Sequence, residues 1–434
     1  MSSQGRRSTF DFGEPVVFSE PSWYQFFESP YYAPKHAAYR AKVRAFVEKE
    51  LAPYVSEWEE RHIENPNTFE MPIRDFVAKA YRAGVYAPQW PVEFGGTPPE
   101  GGWDAFMDLV WIDEIGRAQS AGVKSAFSII TMALPLLLQF GKQSVVRETA
   151  RSIVTGDKII ALCISEPSAG SDVANLRATA ERTKGGWILN GQKKWITLGI
   201  FADYYVVAAR TGGAGRKGLS LFLVDRASKG LVARRMKLQG HWLSGTALIA
   251  FDNVFVPEDR LIGEEHGGFK AIMHNFNHER YLIAVQANRG SRDLLHESMT
   301  YAARRKTFGK TLLEHQVIRQ KLADMAMRVE SVHALIENVT FQVQKGVSNA
   351  KLGGTMALLK VMATRTLELC VREASQIFGG ASFVRSGIGE RVERAGRDLR
   401  GAVIPGGSDE ILADLAVRQA LQITARARME GSKL

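Results

Sequence analysis

The chain has 434 residues, of which 45% are hydrophobic and 24% are charged, and its formal net charge is +10. The length indicates two or three domains rather than one core, and the composition is typical of a soluble globular protein. Lysine and arginine are spread along the chain without long basic tracts. This distribution suits anionic small-molecule ligands, or simply a basic proteome, better than a nucleic acid, and the charge alone does not decide the function.

The N-terminal segment and the two cysteines give only general information. Residues 1–33 are aromatic, interrupted by proline and without periodicity, so we expect an arm that lies over the rest of the protein. Met1–Pro15 contains no apolar segment, and no secretory leader is therefore predicted. Cys163 and Cys370 are too few for a disulfide framework and belong to no CxxC motif, which indicates a reducing compartment.

Residues 34–157 show helical periodicity and predict an N-terminal α-helical domain. Apolar and charged residues mix at helical spacing in Ala38–Leu51 and in Asp104–Ile115, whereas Tyr86–Gly102 is rich in Pro and Gly and predicts a loop. The longest apolar run, Ala126–Phe140, is shorter than the roughly 20 residues of a membrane-spanning helix. We therefore predict a buried helix there and no membrane span.

Residues 158–266 contain short runs rich in Val, Ile and Phe and predict a barrel-like middle β domain. Asn190-Gly191 is the hairpin signal within this region, so we expect a turn between two strands at that point. Residues 213–218, Gly-Ala-Gly-Arg-Lys-Gly, match the GxGxxG pattern of dinucleotide-binding proteins. Because a strand-like run and not a helix follows them, a hairpin loop is the favoured interpretation.

Residues 267–434 return to helical periodicity and predict a C-terminal α-helical bundle. Four long helices are expected, at about 268–304, 315–345, 351–379 and 408–427. His274 and His278 lie four residues apart and could bind a metal, but the HExxH order and a third ligand are missing, so we expect no metal site. The predicted fold class is mainly α with a central β domain.

Six motifs, taken in chain order, point to one protein family. They are PVEFGG (91–96), ALCISEPSAGSDVANLRATA (161–180) with the GQKKWITLG that follows, RRKTFGK (304–310), EHQVIRQKLADM (314–325), QIFGGASFVR (376–385) and GGSDEI (406–411). Together they resemble the acyl-CoA dehydrogenase family over about residues 35–425. The resemblance implies the same order of helical, β and helical domains, one non-covalent FAD per subunit, and a homodimer or homotetramer.

The resemblance also implies which residues hold FAD and substrate. The residues implied to contact the flavin ring are Ser165, Trp195 and Thr197. Those implied to contact the FAD pyrophosphate and adenosine, across a subunit interface, are Arg305, Thr307 and Phe308. Further FAD contacts are implied for Gln316, Gln376, Gly380, Ser408 and Glu410, and a contact to the CoA arm for Ser171. Hydroxyl groups beside the ring can stabilise reduced flavin, and an indole can shield one face of it.

The catalytic base departs from the commonest family pattern. The reaction needs a carboxylate that removes the α proton while the β hydrogen leaves as a hydride to the flavin. Most family members place this glutamate in a Tyr-Glu-Gly-Thr run, whereas the matching run here is Pro405-Gly406-Gly407-Ser408. Members acting on isovaleryl or long-chain thioesters carry the base in a Glu-Arg pair on an earlier helix. By resemblance, Glu279 is therefore the base, Arg280 helps to bind the CoA arm, and the Gly406 N–H polarises the thioester carbonyl.

Several functions stay open at this point. A dehydrogenase would pass electrons to an electron-transfer flavoprotein, and an acyl-CoA oxidase would pass them to O2, although such oxidases usually carry a further C-terminal domain. A nitroalkane-oxidase-like enzyme would want an aspartate at Gly406, a flavin monooxygenase would not need Glu279, and a binding protein would keep FAD without turnover. The walls of the substrate pocket are expected to come from Tyr86–Gly102, Phe127–Leu138 and Phe276–Ala284. The acyl group of the substrate could be carried either on CoA or on a carrier protein.

The last three residues, Ser432-Lys433-Leu434, form the S-K-L address that the peroxisomal import receptor reads. The residues before them are polar, which suits an exposed end. We therefore expect a peroxisomal protein, with the cytoplasm and the mitochondrion as alternatives, and a peroxisomal location would favour the oxidase.

Overall fold

The structure is a computed structural model that describes residues 12–25 and 27–429. The predicted import signal at Ser432-Lys433-Leu434 lies outside the described residues. A helical region, a sheet region and a second helical region follow one another along the chain. This order confirms the predicted fold class.

The first region is α-helical. Its helices are α1 (Ser22–Gln25), α2 (Pro34–Glu50), α3 (Val55–Glu64), α4 (Ile73–Arg82), α5 (Ala105–Gly116), α6 (Ala121–Phe140) and α7 (Gln143–Val154). Asp104 caps α5, since its carboxylate accepts a hydrogen bond from the Met107 backbone N–H at 2.8 Å. Ser120 caps α6 in the same way, with the Val123 N–H as donor at 3.4 Å. These two caps fix where the helices that later line the candidate site begin.

Helix α6 carries the longest apolar run. Among the described residues it is the helix whose length and hydropathy would suffice to cross a membrane, yet 72% of its most apolar window is buried inside the protein. A core helix of a globular domain has this property, because its apolar side chains pack against neighbouring elements. The prediction of a buried helix is confirmed.

The middle region is an open β-sheet. Its strands are β1 (Ile160–Cys163), β2 (Thr179–Thr183), β3 (Gly186–Ile196), β4 (Tyr204–Arg210), β5 (Leu219–Asp225), β6 (Leu231–Arg235), β7 (Ala247–Pro257) and β8 (Leu261–Ile262). Their order is β6-β7-β3-β2-β4-β5-β8, with β1 beside β4. The edge strands β6 and β8 do not pair, so the expected closure into a barrel is absent. Helix α6 packs on β1 and β8 instead, and covers this part of the sheet.

The two turn signals of the sheet had different outcomes. Residues 213–218 join the antiparallel strands β4 and β5, which confirms the hairpin-loop interpretation. The turn predicted at Asn190-Gly191 is wrong, because β3 runs through these residues and the register with β7 shifts there, as in a β-bulge. Asn190 Oδ1 accepts a hydrogen bond from the Asn253 N–H at 2.7 Å, and a Cβ at Gly191 would lie 2.7 Å from Ala178 Cα. The real turn precedes β3, at Gly185 with φ +80°.

The last region is the helical bundle. It consists of α8 (Gly268–Arg304), the short strands β9 (Lys306–Thr307) and β10 (Lys310–Thr311), α9 (Gln316–Gln344), α10 (Asn349–Phe378), α11 (Glu390–Val403) and α12 (Asp409–Met429). The four predicted helices are present. Helix α11 was not predicted, because few of its residues are apolar and its buried face includes Arg394 and Asp398 beside Val392 and Val403.

The N-terminal arm, α2, α5 and α8 meet in a buried charge cluster. The cluster consists of Glu20, Arg44, Asp113, Glu114, Arg117 and Arg289. Arg289 Nε donates to Asp113 Oδ1 at 3.1 Å, and Arg44 Nε donates to Glu114 Oε2 at 2.6 Å. Burial would raise the pKa of Glu20, but the surrounding guanidinium groups lower it below its ordinary value. Three cations and three carboxylates thus balance one another away from water.

The arm is held by this cluster and by backbone contacts. Arg292 Nη1 donates to the carbonyl oxygens of Phe18 and Glu20, each at 2.9 Å. The Tyr24 hydroxyl donates to Glu114 Oε1 at 2.8 Å. The expectation of an arm lying over the rest of the protein is confirmed for residues 12–25, and its contacts join α5 to α8.

We expect the change Arg289→Met to lower the free energy of unfolding by about 3–5 kcal/mol, because Asp113 and Glu20 would stay buried with one cation fewer. Urea titration followed by circular dichroism measures this. The matched control is Arg304→Met at the exposed end of α8, which should stay within about 0.5 kcal/mol of the wild type. An Arg289→Met protein as stable as the control would contradict the importance given to the cluster.

Candidate active site

Glu279 lies on α8 with its side chain buried, at 7% exposure. Asn275, one turn earlier, donates a hydrogen bond from Nδ2 to Glu279 Oε1 at 2.6 Å. Burial raises the pKa of Glu279 to about 7, against the opposing charge of His278 and the hydrogen bond from Asn275. A carboxyl group with this pKa exchanges a proton near neutral pH, which a general base requires.

His278 places a second titratable group beside Glu279. Its Nε2 lies 3.1 Å from Asp108 Oδ2 on α5. Burial would lower the pKa of His278, but Asp108 and Glu279 raise it above its ordinary value. The histidine therefore carries positive charge over more of the neutral range and favours the ionised form of its neighbour. His278 is thus paired with Asp108, and no group of three His, Cys, Asp or Glu side chains gathers as a metal site within the described residues.

Arg280 connects the helix of Glu279 with the loop between α11 and α12. Its Nε donates to the Gly406 carbonyl at 3.1 Å. Gly406 has φ +71°, and a Cβ there would lie 2.8 Å from Ile283 Cδ1. A glutamate at Gly406 would therefore be strained in its backbone, and the Ile283 side chain would have to move to admit its Cβ. Arg280 and Ile283 thus bring the helix of Glu279 against this loop.

Lys360 of α10 fixes this loop, and sequence reasoning missed it. Its ammonium group is buried and donates to the carbonyls of Val403 and, at 2.9 Å, Gly407. It also lies 3.7 Å from Asp409 Oδ1. A lysine within the apolar stretch Ala357–Met362 was the available signal, since a buried lysine needs polar partners.

Ser165, Trp195 and Thr197 are brought together at the end of β3. The Ser165 carbonyl accepts a hydrogen bond from the Lys194 N–H at 2.9 Å, which places Ser165 beside the residue before Trp195. Trp195 has φ +61° and leaves 48% of its surface exposed. Left-handed backbone at a bulky residue is strained, and such strain often marks a functional position. Thr197 follows Trp195 by two residues and is half-buried.

A buried ion pair that the sequence did not indicate supports this segment. Lys193 Nζ lies 2.8 Å from Glu166 Oε1 and donates to the Ile164 carbonyl at 3.0 Å. Glu166 also accepts hydrogen bonds from the N–H groups of Arg177 and Ala178, at 2.6 and 3.0 Å. The pair locks the residues on both sides of Ser165 onto β3.

Six predicted site residues form a far-end group, at the end of the bundle. They are Arg305, Thr307, Phe308, Gln316, Gln376 and Gly380. The helices that carry them converge, because Tyr301 of α8 stacks on Phe378 of α10 with ring centroids 4.2 Å apart. Phe308 is 96% exposed with φ +51°. Arg305 follows Glu279 by 26 residues on or just beyond α8, a separation of roughly 39 Å along the helix axis at 1.5 Å per residue.

The other predicted residues lie apart from these groups. Ser408 is half-buried and its carbonyl accepts the Leu412 N–H at 3.0 Å, at the start of α12, while Glu410 is exposed in the first turn of that helix. Ser171 is exposed in the segment between β1 and β2. The structure therefore brings Ser408 near Gly406 but leaves the Ser171 and Glu410 side chains on the surface.

A cavity of about 80 Å³ begins one turn beyond Glu279. Ile283, Gln286, Gly290 and Asp293 line it on the same face of α8 as Glu279, since they follow it at helical spacing. The opposite walls come from the start of α6 and from α11. Of the three expected pocket walls, Phe276–Ala284 contributes Ile283, whereas the loop and the later part of α6 do not line this cavity.

Three family profiles match the chain in succession. They are the acyl-CoA dehydrogenase N-terminal domain over residues 33–157, the middle domain over 161–254 and the C-terminal domain over 266–421.

Relatives agree with these profiles. An acyl-CoA dehydrogenase of Alternaria alternata, AFT10-1, is 38% identical over 95% of this chain and 97% of its own. The acyl-CoA dehydrogenase apdG of Emericella nidulans is 35% identical over 94% of this chain and 96% of its own. The crystal structure of a probable acyl-CoA dehydrogenase from Mycobacterium abscessus is 35% identical, covers 90% of this chain and 100% of its own, and superposes with a TM-score of 0.83. The chain belongs to the acyl-CoA dehydrogenase family.

Proposed function

We propose that the enzyme oxidises the α,β carbon–carbon bond of an acyl thioester with Glu279 as the base. The observation that carries this proposal is the buried carboxyl group of Glu279, whose pKa burial raises to about 7. The helix of Glu279 packs against a loop in which Gly406 stands at the position where most family members are expected to have a glutamate. Glu279 takes the α proton onto a carboxylate oxygen, and the electron pair of that C–H bond moves into the new double bond. FAD, when bound, supplies the acceptor for the β hydride.

The loop beside Glu279 offers a donor for the thioester carbonyl. Within the described chain the Gly406 N–H makes no hydrogen bond, while its carbonyl is engaged by Arg280. A free N–H at this point can stabilise the negative charge that develops on the carbonyl oxygen. Lys360 holds the loop from behind, so this donor is fixed before the substrate arrives.

The residues beside β3 fit a flavin. Trp195 presents an exposed indole that can cover an aromatic ring, and Ser165 and Thr197 supply hydroxyl groups close to it. At the far-end group, exposed Arg305 and exposed Phe308 suit a phosphate and an adenine. This donor set supports non-covalent FAD as the cofactor.

The distance between Glu279 and the far-end group supports a homo-oligomer. Roughly 39 Å along α8 separates Glu279 from Arg305, which is more than one FAD molecule can bridge. We infer that each FAD is completed by the far-end group of a second copy. Arg280 and Ser171 are our proposed contacts to the CoA arm, and Gln316, Gln376, Gly380, Ser408 and Glu410 are further proposed FAD contacts.

An electron-transfer flavoprotein is the proposed electron acceptor, and O2 is the alternative. The nitroalkane-oxidase-like reading has no support at Gly406, where a glycine stands in place of an aspartate. A comparison of oxygen consumption with turnover of an artificial acceptor separates dehydrogenase from oxidase.

We expect Glu279→Gln to lower kcat by roughly 10²–10⁴-fold while FAD stays bound, because the α proton loses its acceptor. The wild-type kcat/KM should rise with pH and level off above about 7, since Glu279 must be ionised to act and burial raises its pKa to about 7. Both are measured by acyl-CoA-dependent bleaching of the flavin and by steady-state turnover.

The control for this experiment is Glu264→Gln, an exposed glutamate just before α8, which should keep the rate and the pH profile of the wild type. Undiminished turnover by Glu279→Gln would refute the role of Glu279 and favour a monooxygenase-type reaction.

We expect Phe308→Ser to weaken FAD binding roughly ten- to hundredfold and to shift the protein towards smaller assemblies. Phe308 is exposed in the single subunit, and its burial against FAD and a second copy would contribute about 1.5–3 kcal/mol. Flavin content after gel filtration and the mass from light scattering report the two effects. Phe255→Ser, which removes an exposed phenylalanine of the sheet, is the control. Equal flavin content in both variants would argue against this interface.

We also propose import into the peroxisome, supported by Ser432-Lys433-Leu434. A fluorescent protein fused to the N-terminus should give punctate peroxisomal fluorescence, and deletion of Leu434 should disperse it through the cytoplasm. Fluorescence that stays in place after the deletion would contradict the proposal.

A further inference from the structure

The cavity beside Glu279 is polar at the end away from the base. Gln119, Lys124 and Asp293 line it there, together with Asp398. Glu297 and Arg391 also line the cavity, but they pair with each other at 2.6 Å. An unsubstituted acyl chain would gain most from apolar walls, because hydrophobic contact is its only favourable interaction. Charged groups around an interior cavity cost stability unless they find partners.

Lys124 is the donor of this polar end. It stands in the first turn of α6, half-buried, and within the described residues its ammonium group makes neither a hydrogen bond nor an ion pair. Burial lowers the pKa of Lys124, although the charges of Asp398 and Asp293 act in the opposite direction. An ammonium group carries three N–H donors. All of them remain free for a ligand.

Asp293 and Gln119 are the acceptors. Asp293 is nine-tenths buried, and its Oδ2 has no hydrogen-bond partner, while Oδ1 lies 3.6 Å from Arg289 Nη1. Gln119 Oε1 is also buried and unpartnered. Buried polar atoms are normally satisfied, so two unpaired oxygens on one cavity point to a missing partner.

The carboxylate of Asp398 already has hydrogen-bond partners and holds the start of α6 in place. Its carboxylate accepts hydrogen bonds from the N–H groups of Ala121, at 3.1 Å, and His241, at 2.6 Å. These bonds fix the start of α6 against α11. The position of Lys124, one turn into α6, is thereby fixed as well.

The distance between Glu279 and Lys124 determines which part of a bound acyl chain would contact the polar end of the cavity. Gln286 Nε2 donates to Ser128 Oγ at 2.9 Å, which aligns α6 with α8 at that level. Gln286 follows Glu279 by seven residues, or roughly 10 Å along α8, and Lys124 stands one turn from Ser128. A group bound by Lys124 is therefore many bonds from the reacting carbons, near the far end of a medium-length chain.

We propose that the substrate is an acyl thioester whose chain carries a hydroxyl group near its far end, bound by Lys124 as donor and by Asp293 or Gln119 as acceptor. A hydroxyl accepts and donates at once and so satisfies both kinds of group. A carboxylate would face the oxygens of Asp293 and Gln119, and a methyl group would leave every polar atom unpaired. This inference rests on the proposed dehydrogenase function and narrows its substrate class.

The test compares decanoyl-CoA with ω-hydroxydecanoyl-CoA and the matching dicarboxylyl-CoA, in anaerobic flavin bleaching and in kcat/KM. The wild type should prefer the hydroxylated thioester to decanoyl-CoA, and Lys124→Met should reduce that preference by roughly ten- to hundredfold. Lys184→Met, an exposed lysine in the turn before β3, should keep the wild-type preference. The wild-type comparison needs no variant and stands even if Lys124→Met fails to fold.

Two results would overturn the proposal while leaving the dehydrogenase intact. One is equal use of decanoyl-CoA and its hydroxylated form by the wild type, and the other is a preference for the dicarboxylyl thioester. A flavin that none of the thioesters bleaches would instead overturn the dehydrogenase function, and the substrate proposal with it.

Discussion

The pairing of Arg289 with Asp113 and Glu20 determines how α8 lies against the N-terminal region. Each of these charges is buried, so each needs its partner at close range. A shift of α8 by one turn would separate Arg289 from Asp113 and from Glu20, although Glu20 would keep Arg44 and Arg117. Hydrophobic packing alone tolerates small shifts, because one apolar side chain can replace another. The charge cluster therefore specifies one register between α5 and α8. In that register His278 meets Asp108 and the polar cavity opens beside Glu279.

Once its register is fixed, α8 determines the distances between the groups of the candidate site. The base, the cavity wall and Arg305 at its end are separated by distances that follow from one rigid helix. Functional groups on such an element are positioned more accurately than groups on loops. The same rigidity keeps the far-end group well separated from Glu279 of its own subunit. The proposed sharing of FAD between two copies follows from this separation.

The sequence predicted the elements that depend on periodicity and missed those that depend on polar contacts. The long helices, the buried α6 and most strands follow from apolar spacing. The hairpin prediction at Asn190-Gly191 was wrong, because this residue pair suits a bulge as well as a hairpin turn. The contacts with Ala178 and Asn253, which stabilise the bulge, are not visible in the local sequence. The sequence did not predict helix α11 or the contacts of Lys360 for a related reason, since their buried partners are distant in sequence. Glu279 was found through a family resemblance, whereas the polar end of the cavity needed the fold.

The proposed base stands on a helix and not on a loop, and this changes what controls its protonation. At Gly406 a side chain would start 2.8 Å from Ile283 in a left-handed backbone conformation, so the glycine lets the loop approach α8 closely. Glu279, on the same helix, is buried at 7% exposure. Exclusion of water raises the pKa of the carboxyl group, while His278, held by Asp108, limits the rise to about 7. A glycine in the loop and a buried glutamate on the adjacent helix are therefore consistent with the proposed role of Glu279.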